Sequence, residues 1–442
     1  MFNNIFSKIQ RGLIFLYDNS LFLQKIDFFI LLSILAVILI SVFSPSDYIG
    51  FMAIVTIFLT FIKLLTKPDE KLALNKFELF LLAYFMLVFI SLAGSTLFSL
   101  SLKGFFKTCI YIGFYFSLAH YIKNNNEKLP LIFTTLAGCV CFESIIALLQ
   151  NFYHVEAIST WQDTSRLNPE QVMTRVYGTL KPYNPNLFGG YLIATIPALF
   201  GTCAYNFVKN NYKRAVFFFI FSVPATIAVF LTGCRGAYLA LLAIFACLFV
   251  ISAKFLWQKY KKIYLFLIAS CVSAFTFLLI TMASLRARFA SIFAMRNDSS
   301  NSFRFNVYQS CIEMFKDNWL LGIGVGNKNF REIYGLYMKT GFDALSAYNI
   351  FLEIAVESGI FALVAFLGFL FVCVKKAIEI IVTITEKEKI IFVSMALISI
   401  IALILHGLVD TVFFRPQIHF VFFIMVGVIS GYEKIISNKI IE

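Results

Sequence analysis

The sequence predicts an all-α polytopic membrane protein, with about twelve transmembrane helices and a small extracytoplasmic helical lid. Three observations predict it. Of 442 residues, 60% are hydrophobic and the mean hydropathy is +0.84, more apolar surface than a soluble fold of this length could hide. The apolar residues come in runs of membrane-spanning length. Lysines gather in the short connections between those runs, which is how membrane topology is written.

Taken in order, residues 1–27 mix apolar and charged residues with no small-residue cleavage site before the first long run, and read as a cytoplasmic or interfacial N-terminus. Twelve apolar runs follow, near 28–45, 49–66, 79–98, 104–121, 130–150, 186–206, 215–233, 236–256, 264–283, 347–373, 390–412 and 417–436. They make 28–436 one transmembrane domain and leave 437–442 as a cytoplasmic tail. Two longer extracytoplasmic segments interrupt it, at 151–185 and 284–346. In the second, RFNVYQSCIEMFKDNWL places Arg304, Tyr308, Cys311, Phe315 and Trp319 on one helical face, with Asn301 or Ser302 as the cap. An apolar stripe there predicts a helix lying over the membrane domain. The following LGIGVGNKNF lacks the preceding strand of a nucleotide loop and reads as a tight turn that lets backbones approach closely.

With the N-terminus in the cytoplasm, 20 of the 26 lysines fall on the cytoplasmic side, but only Arg11 and Arg214 of the 11 arginines do. The other nine, Arg166, Arg175, Arg235, Arg286, Arg288, Arg296, Arg304, Arg331 and Arg415, lie outside. Lysine suffices as a topological point charge, whereas the forked guanidinium suits phosphate or carboxylate. The segregation points to an anionic ligand at the extracytoplasmic face. The net charge of +13 is therefore topological and not a nucleic-acid footprint. The nine cysteines include no CxxC pair, and no P-loop or G-x-S-x-G element occurs.

Four clusters could carry chemistry. In FLTGCRGAYLALLA, Arg235 sits between Gly233 and Gly236, where burial at a bilayer centre would cost roughly 2.5–3.5 kcal/mol. It either lines a cavity, with Thr232 as a further donor, or snorkels from a tight helical hairpin. In RVYGTLKPYNPNLFGGY, Asn184 and Asn186 offer amides beside Arg175 and Lys181, or cap a helix start. In LSAYNIFLEIAVESGI, Glu353 and Glu357 share a face of a span below Tyr348 and Asn349, to act as a base or to pair with an arginine. Glu143 poses the same choice. In HGLVDTVFFRPQIHF, His406, Asp410, Arg415 and His419 crowd one turn, and Asp410 could neutralise Arg415. No third strong ligand accompanies the two histidines, so no metal and no cofactor are expected.

TGCRGAYL, RFNVYQSCIEMFKDNWLLGIGVGNKNF and AYNIFLEIAVESGI, in this order, resemble the motifs of the O-antigen ligase and O-antigen polymerase superfamily, over about 170–432. NPNLFGGY and HGLVDTVFFRPQ resemble the branch labelled inorganic carbon (bicarbonate) transporters. The resemblance implies a bacterial inner-membrane protein, both termini cytoplasmic, that moves a glycan from a polyprenyl-pyrophosphate carrier to a lipid or glycan acceptor at the periplasmic face, without metal or nucleotide. Its partners would be those substrates and membrane lipids. Carried over by motif, Arg235 and Arg304 would bind the pyrophosphate, with Arg175 assisting. Glu353, Glu357 or Asp343 would stand in as base, because Tyr348 occupies the place of the family's histidine and a phenol of ordinary pKa is a poor base at neutral pH. Asn184, Asn186, Asn349, Asp410 and Arg415 would contact substrate. The alternatives are bicarbonate or small-anion transport, for which the tyrosine argues, and a non-catalytic partner of a glycan pathway.

Overall fold

The computed structural model describes residues 12, 14–67, 70, 72–155 and 174–441, and among them every regular element is helical. Among the described residues, eleven helical segments are long and apolar enough to cross a membrane. They belong to α1 (Ile26–Phe43), α2 (Ser46–Thr66), α3 (Lys76–Ser91), α5 (Leu129–Phe152), α6 (Pro185–Val208), α7 (Tyr212–Leu231), the two arms of α8 (Arg235–Thr281), α12 (Ile350–Thr383), α13 (Lys387–Gly407) and α14 (Pro416–Ile441). The twelfth expected run lies within α4 (Phe98–Asn124), whose lysines and hydroxyls dilute its apolar character. Its ends nevertheless meet opposite sides of the bundle: Ser101 donates to the Val325 carbonyl at 3.1 Å, and Asn125, just past its end, donates to Asp27 at 3.2 Å.

The α8 hairpin shows how sequence alone sets a bend. A single non-helical residue, Tyr260, turns the chain back. The arms close through Phe249 against Tyr264 and, together with α7, Phe230 against Phe275. Lys254 in this region donates to the Ile381 carbonyl at 2.8 Å, so the bend lies at the end of the bundle away from Arg235. The core runs through α6, whose side chains are buried almost throughout, between α5, α7 and α13. Asn184 caps it, accepting from the Asn186 and Leu187 amides at 2.8 and 3.3 Å, and Pro185 occupies the first turn, where its missing N–H costs nothing.

The lid is built from α9 (Ala283–Ala290), α10 (Ser299–Asp317) and α11 (Asn327–Tyr334). It has its own small core of Val307, Cys311, Met314, Phe330 and Tyr334, closed from below by Val356 of α12. The cap of α10 is Asp298, which accepts from the Asn301 amide at 2.9 Å, and not Asn301 or Ser302 as the sequence was expected to provide. The helix begins earlier than its apolar stripe does. Trp319 lies beyond the end of α10 and is exposed, so it does not share the buried face with Cys311.

The glycine turn seats the lid. At Gly322 (φ +71°) a Cβ would stand 2.4 Å from the Glu357 backbone, so only glycine permits the approach. The Ile323 and Gly324 amides then donate to the Val356 and Glu357 carbonyls at 2.9 Å each. Those carbonyls are free because α12 is broken at Gly359.

Candidate anion site

The lid end of the bundle gathers arginines. Gly233 (φ +63°) turns the chain from α7 into α8, and the Arg175 side chain packs over it, where a Cβ would meet Arg175 Nε at 3.0 Å. Arg175 Nε donates to the Thr232 carbonyl at 2.7 Å and Nη2 donates to Asn186 Oδ1 at 2.6 Å. Asn186 in turn donates to Asp410 at 3.1 Å. Thr232 serves this turn: its hydroxyl donates to the Val229 carbonyl at 2.6 Å and accepts from the Cys234 amide at 3.1 Å, while its carbonyl receives Arg175.

Arg235 does not fan out into solvent. It is 10% exposed, and its Nη1 donates to the Ser291 carbonyl and hydroxyl at 3.0 Å each and pairs with Asp298 at 2.9 Å. Ser291 ends α9 and Asp298 begins α10, so one guanidinium ties two of the three lid helices to the membrane domain. Six residues along α10, Arg304 lies 5.9 Å over the Tyr348 ring and donates to Ser300 at 3.3 Å, while its Nε is buried without a hydrogen-bond partner. Arg235 and Arg304 are close enough for each charge to oppose the other, and Arg175 and Arg235 likewise. Burial lowers the Arg175 pKa, although a guanidinium is in general always charged in a protein.

Arg288 completes the group. The sequence reading named it only as one of nine outer arginines. It sits on α9 one turn before Ser291, with Nε and Nη2 buried and unpartnered. Its pKa falls to about 10, through burial first and then the charge of Arg175. Three other outer arginines stand apart. Arg286 is exposed and donates to the Leu279 and Ile280 carbonyls, Arg331 pairs with Asp343 at 3.0 Å in the open, and Arg415 is exposed. Arg166 lies outside the described residues.

The acidic and amide residues singled out in the sequence accept mainly from backbone amides. Glu353 and Glu357 are buried, and neither pairs with an arginine: Glu353 accepts from the Ala347 amide at 3.1 Å and Glu357 from the Gly326 amide at 3.0 Å. They hold the segment before Asn349 and the glycine turn in place. Asn349 caps α12, accepting from Phe351 and Leu352 at 3.0 Å each. Asp410 does not pair with Arg415. It accepts from Asn186 and from the Val412 amide at 3.1 Å each. Glu143 binds the Thr179 amide at 3.0 Å and its hydroxyl. Tyr348 has its phenol pushed up to about 12 by burial first and then by Asp410. Its backbone is in the left-handed region (φ +52°) and its carbonyl receives the Tyr308 hydroxyl at 3.1 Å.

One contact escaped the sequence altogether. Cys234 Sγ lies 3.4 Å from His406 Nε2, both buried under the arginines. The two residues are 172 positions apart, and only the packing of Gly236 against His406 brings them together. Among the described residues no group of three or more histidine, cysteine or acidic side chains is placed to hold a metal.

The chain matches the O-antigen ligase family over residues 193–367. No curated protein matches it. The matched stretch runs from α6 into α12 and contains Arg235, Arg288, Arg304, Tyr348, Asn349, Glu353 and Glu357. Arg175, Asn184, Asn186, Asp410 and Arg415 lie outside it.

Proposed function

We propose that this multi-pass membrane protein is a glycosyltransferase of the O-antigen ligase or polymerase type, moving a glycan from a polyprenyl-pyrophosphate carrier to a lipid or glycan acceptor at the periplasmic face of the inner membrane. The observation that carries the reading is the gathering of Arg175, Arg235 and Arg304 at one end of the bundle, beneath a lid that two of them help to fasten. Positive charge in a water-poor site stabilises a departing diphosphate far better than the same charge in water.

In this reading the acceptor hydroxyl attacks the anomeric carbon. The bond from that carbon to the diphosphate oxygen breaks, and its electron pair leaves with the diphosphate. The hydroxyl proton passes to the diphosphate, now the strongest base beside the reacting atoms. Arg235 and Arg304 neutralise the charge that develops, and Arg175, oriented by Asn186 and Asp410, approaches from the α6 side. Tyr348, protonated across the physiological range, holds Arg304 by its ring. Glu353 and Glu357 support the lid and the Asn349 cap, and need not move a proton.

Small-anion transport is the competing reading, favoured by the tyrosine where the resembled pattern has histidine. One variant separates the two. Arg235→Ala is expected to abolish the high-mass bands of surface glycan on a gel while protein abundance is unchanged. Persistence of those bands together with a fall in labelled bicarbonate uptake would replace the glycosyltransferase by a transporter.

A further inference from the structure

We propose that Arg288 is a fourth anion-binding residue of this site, extending the Arg175, Arg235 and Arg304 cluster so that it spans two phosphates and selects a diphosphate over a single phosphate. The proposal rests on the glycan-carrier reading and names a part of the site that neither the sequence motifs nor the family match assigns.

Three observations carry it. The first is unmet hydrogen bonding. Among the described residues, the buried guanidinium nitrogens left without a partner are Arg288 Nε, Arg288 Nη2 and Arg304 Nε. Buried donors are nearly always satisfied, and charged ones most of all, so these three mark where an absent acceptor belongs. Nε and Nη2 form one edge of the guanidinium, the edge that grips two oxygens of a phosphate at once.

The second is placement. Ser291 fastens the end of α9 to Arg235, and Phe289 stacks on Tyr238 with ring planes within 8° and centroids 5.9 Å apart. Together they lay α9 across the first turn of α8. Arg288 thereby reaches the flank of the cluster where Arg175 packs over Gly233, and Arg175 is the charge that acts on it most strongly. On the other flank, Arg304 is the cation that most opposes Arg235. Arg175 and Arg235 also oppose each other, so the four guanidiniums run as one chain from Arg288 through Arg175 and Arg235 to Arg304.

The third is charge. Four arginines meet two carboxylates, Asp298 on Arg235 and Asp410 through Asn186 on Arg175. Two positive charges remain, which equals the charge of a glycosyl diphosphate diester. A monoanion such as bicarbonate would leave one guanidinium unmatched.

The test uses the full-length protein in lipid nanodiscs and measures binding of inorganic pyrophosphate and, separately, inorganic phosphate. The parent protein is expected to prefer pyrophosphate. Arg288→Gln should weaken pyrophosphate binding by at least about tenfold, the scale of a lost charged hydrogen-bond pair, and leave phosphate nearly unaffected, so that the preference collapses. Arg288→Lys keeps the charge and the fold but loses the fork, and should recover only part of the preference. Arg286→Gln, on the exposed side of the same helix, should bind as the parent does. A short-chain polyprenyl diphosphate should compete with pyrophosphate in the parent and require a higher concentration in Arg288→Gln, which distinguishes a lipid-borne headgroup from a free anion. If Arg288→Gln and Arg288→Lys retain the full preference while Arg235→Gln and Arg304→Gln lose pyrophosphate binding, the role given to Arg288 is wrong and the site stands without it. If none of the four variants alters pyrophosphate binding, the glycan-carrier reading itself falls.

Discussion

The two ends of the helical bundle bury charge in opposite ways. At the end away from the lid, Lys63, only 1% exposed, contacts Asp27 at 2.7 Å and Glu70 at 2.8 Å, and Glu70 also meets His120 at 3.1 Å. Nearby, the fully buried Glu78 receives Lys434, Tyr115 and Ser430 at 2.7 Å each on one oxygen and the Asn75 amide at 2.7 Å on the other. Every charged member of these networks has a charged partner, and close by only Glu433 Oε2, among the described carboxylates, is buried without a hydrogen bond. At the lid end, four arginines share fewer carboxylates, and three of their buried nitrogens lack partners. Burying charge costs the same at either end. What differs is who offsets the cost: side chains of the protein at one end, and on our reading a diphosphate at the other. A cluster whose charges pair within the protein holds helices together, and one with spare charge is kept for a ligand.

The largest effect is expected where that pairing is broken. Glu78→Ala strands Lys434 in the bundle and should lower stability by roughly 3–5 kcal/mol, read as a fall in the thermal midpoint of the purified protein. Replacing Glu78 by Gln and Lys434 by Met together should recover most of the loss. Full loss in the double variant would mean that the pair holds more than its own charges. At the lid end the order reverses: Arg304→Ala should leave the midpoint nearly unchanged and reduce glycan transfer by about two to three orders of magnitude, the scale of removing one oxyanion-type donor. An unfolded Arg304→Ala protein would erase the contrast between the ends.

Asp298→Asn sharpens the comparison more gently. Asparagine caps a helix as well as aspartate, so α10 should persist, while Arg235 loses its internal anion. Pyrophosphate should bind roughly threefold to tenfold more tightly, given the strength of charged hydrogen bonds. Unchanged or weaker binding would show that Asp298 orients Arg235 and does not compete for it. The smallest effect is one of pH. Glu70 has its pKa lowered from the model-peptide value of 4.5 to about 2, its hydrogen bonds to His120 and Lys63 outweighing burial. A depressed carboxylate contributes stability above its unfolded pKa and loses it as pH falls through the folded one. Midpoints should therefore hold steady from pH 7 to about 5 and decline between about 4.5 and 2. In Glu70→Gln the decline over that window should be shallower.

Much of this was legible in the sequence, because the bilayer imposes one-dimensional rules. Apolar runs found the spans, and the arginines that the sequence set apart from most lysines include the four that gather at the lid end. Asn184 was readable as a cap because capping is local. What escaped was partnership across long separations. Asp298 and Arg235 are 63 residues apart, and no pattern near either residue announces the other. Glu353 and Glu357 looked like bases or arginine partners because an intramembrane acid demands a polar neighbour, but the neighbours proved to be backbone amides, invisible in a list of side chains. Asp410 lay close to Arg415 in sequence yet turned to Asn186, at the start of α6. Arg288 was passed over because α9 carries no strong amphipathic signal. Its signature is an unmet hydrogen bond, which exists only in three dimensions.

The central claim is that the lid-end arginines hold a lipid diphosphate. Native mass spectrometry of the purified protein in membrane nanodiscs tests it most directly. The parent protein should retain a bound polyprenyl diphosphate species, and the Arg235→Ala/Arg304→Ala variant, with the parent's helical content, should not. Retention of that lipid to the same extent by both proteins, or by neither, would contradict the account.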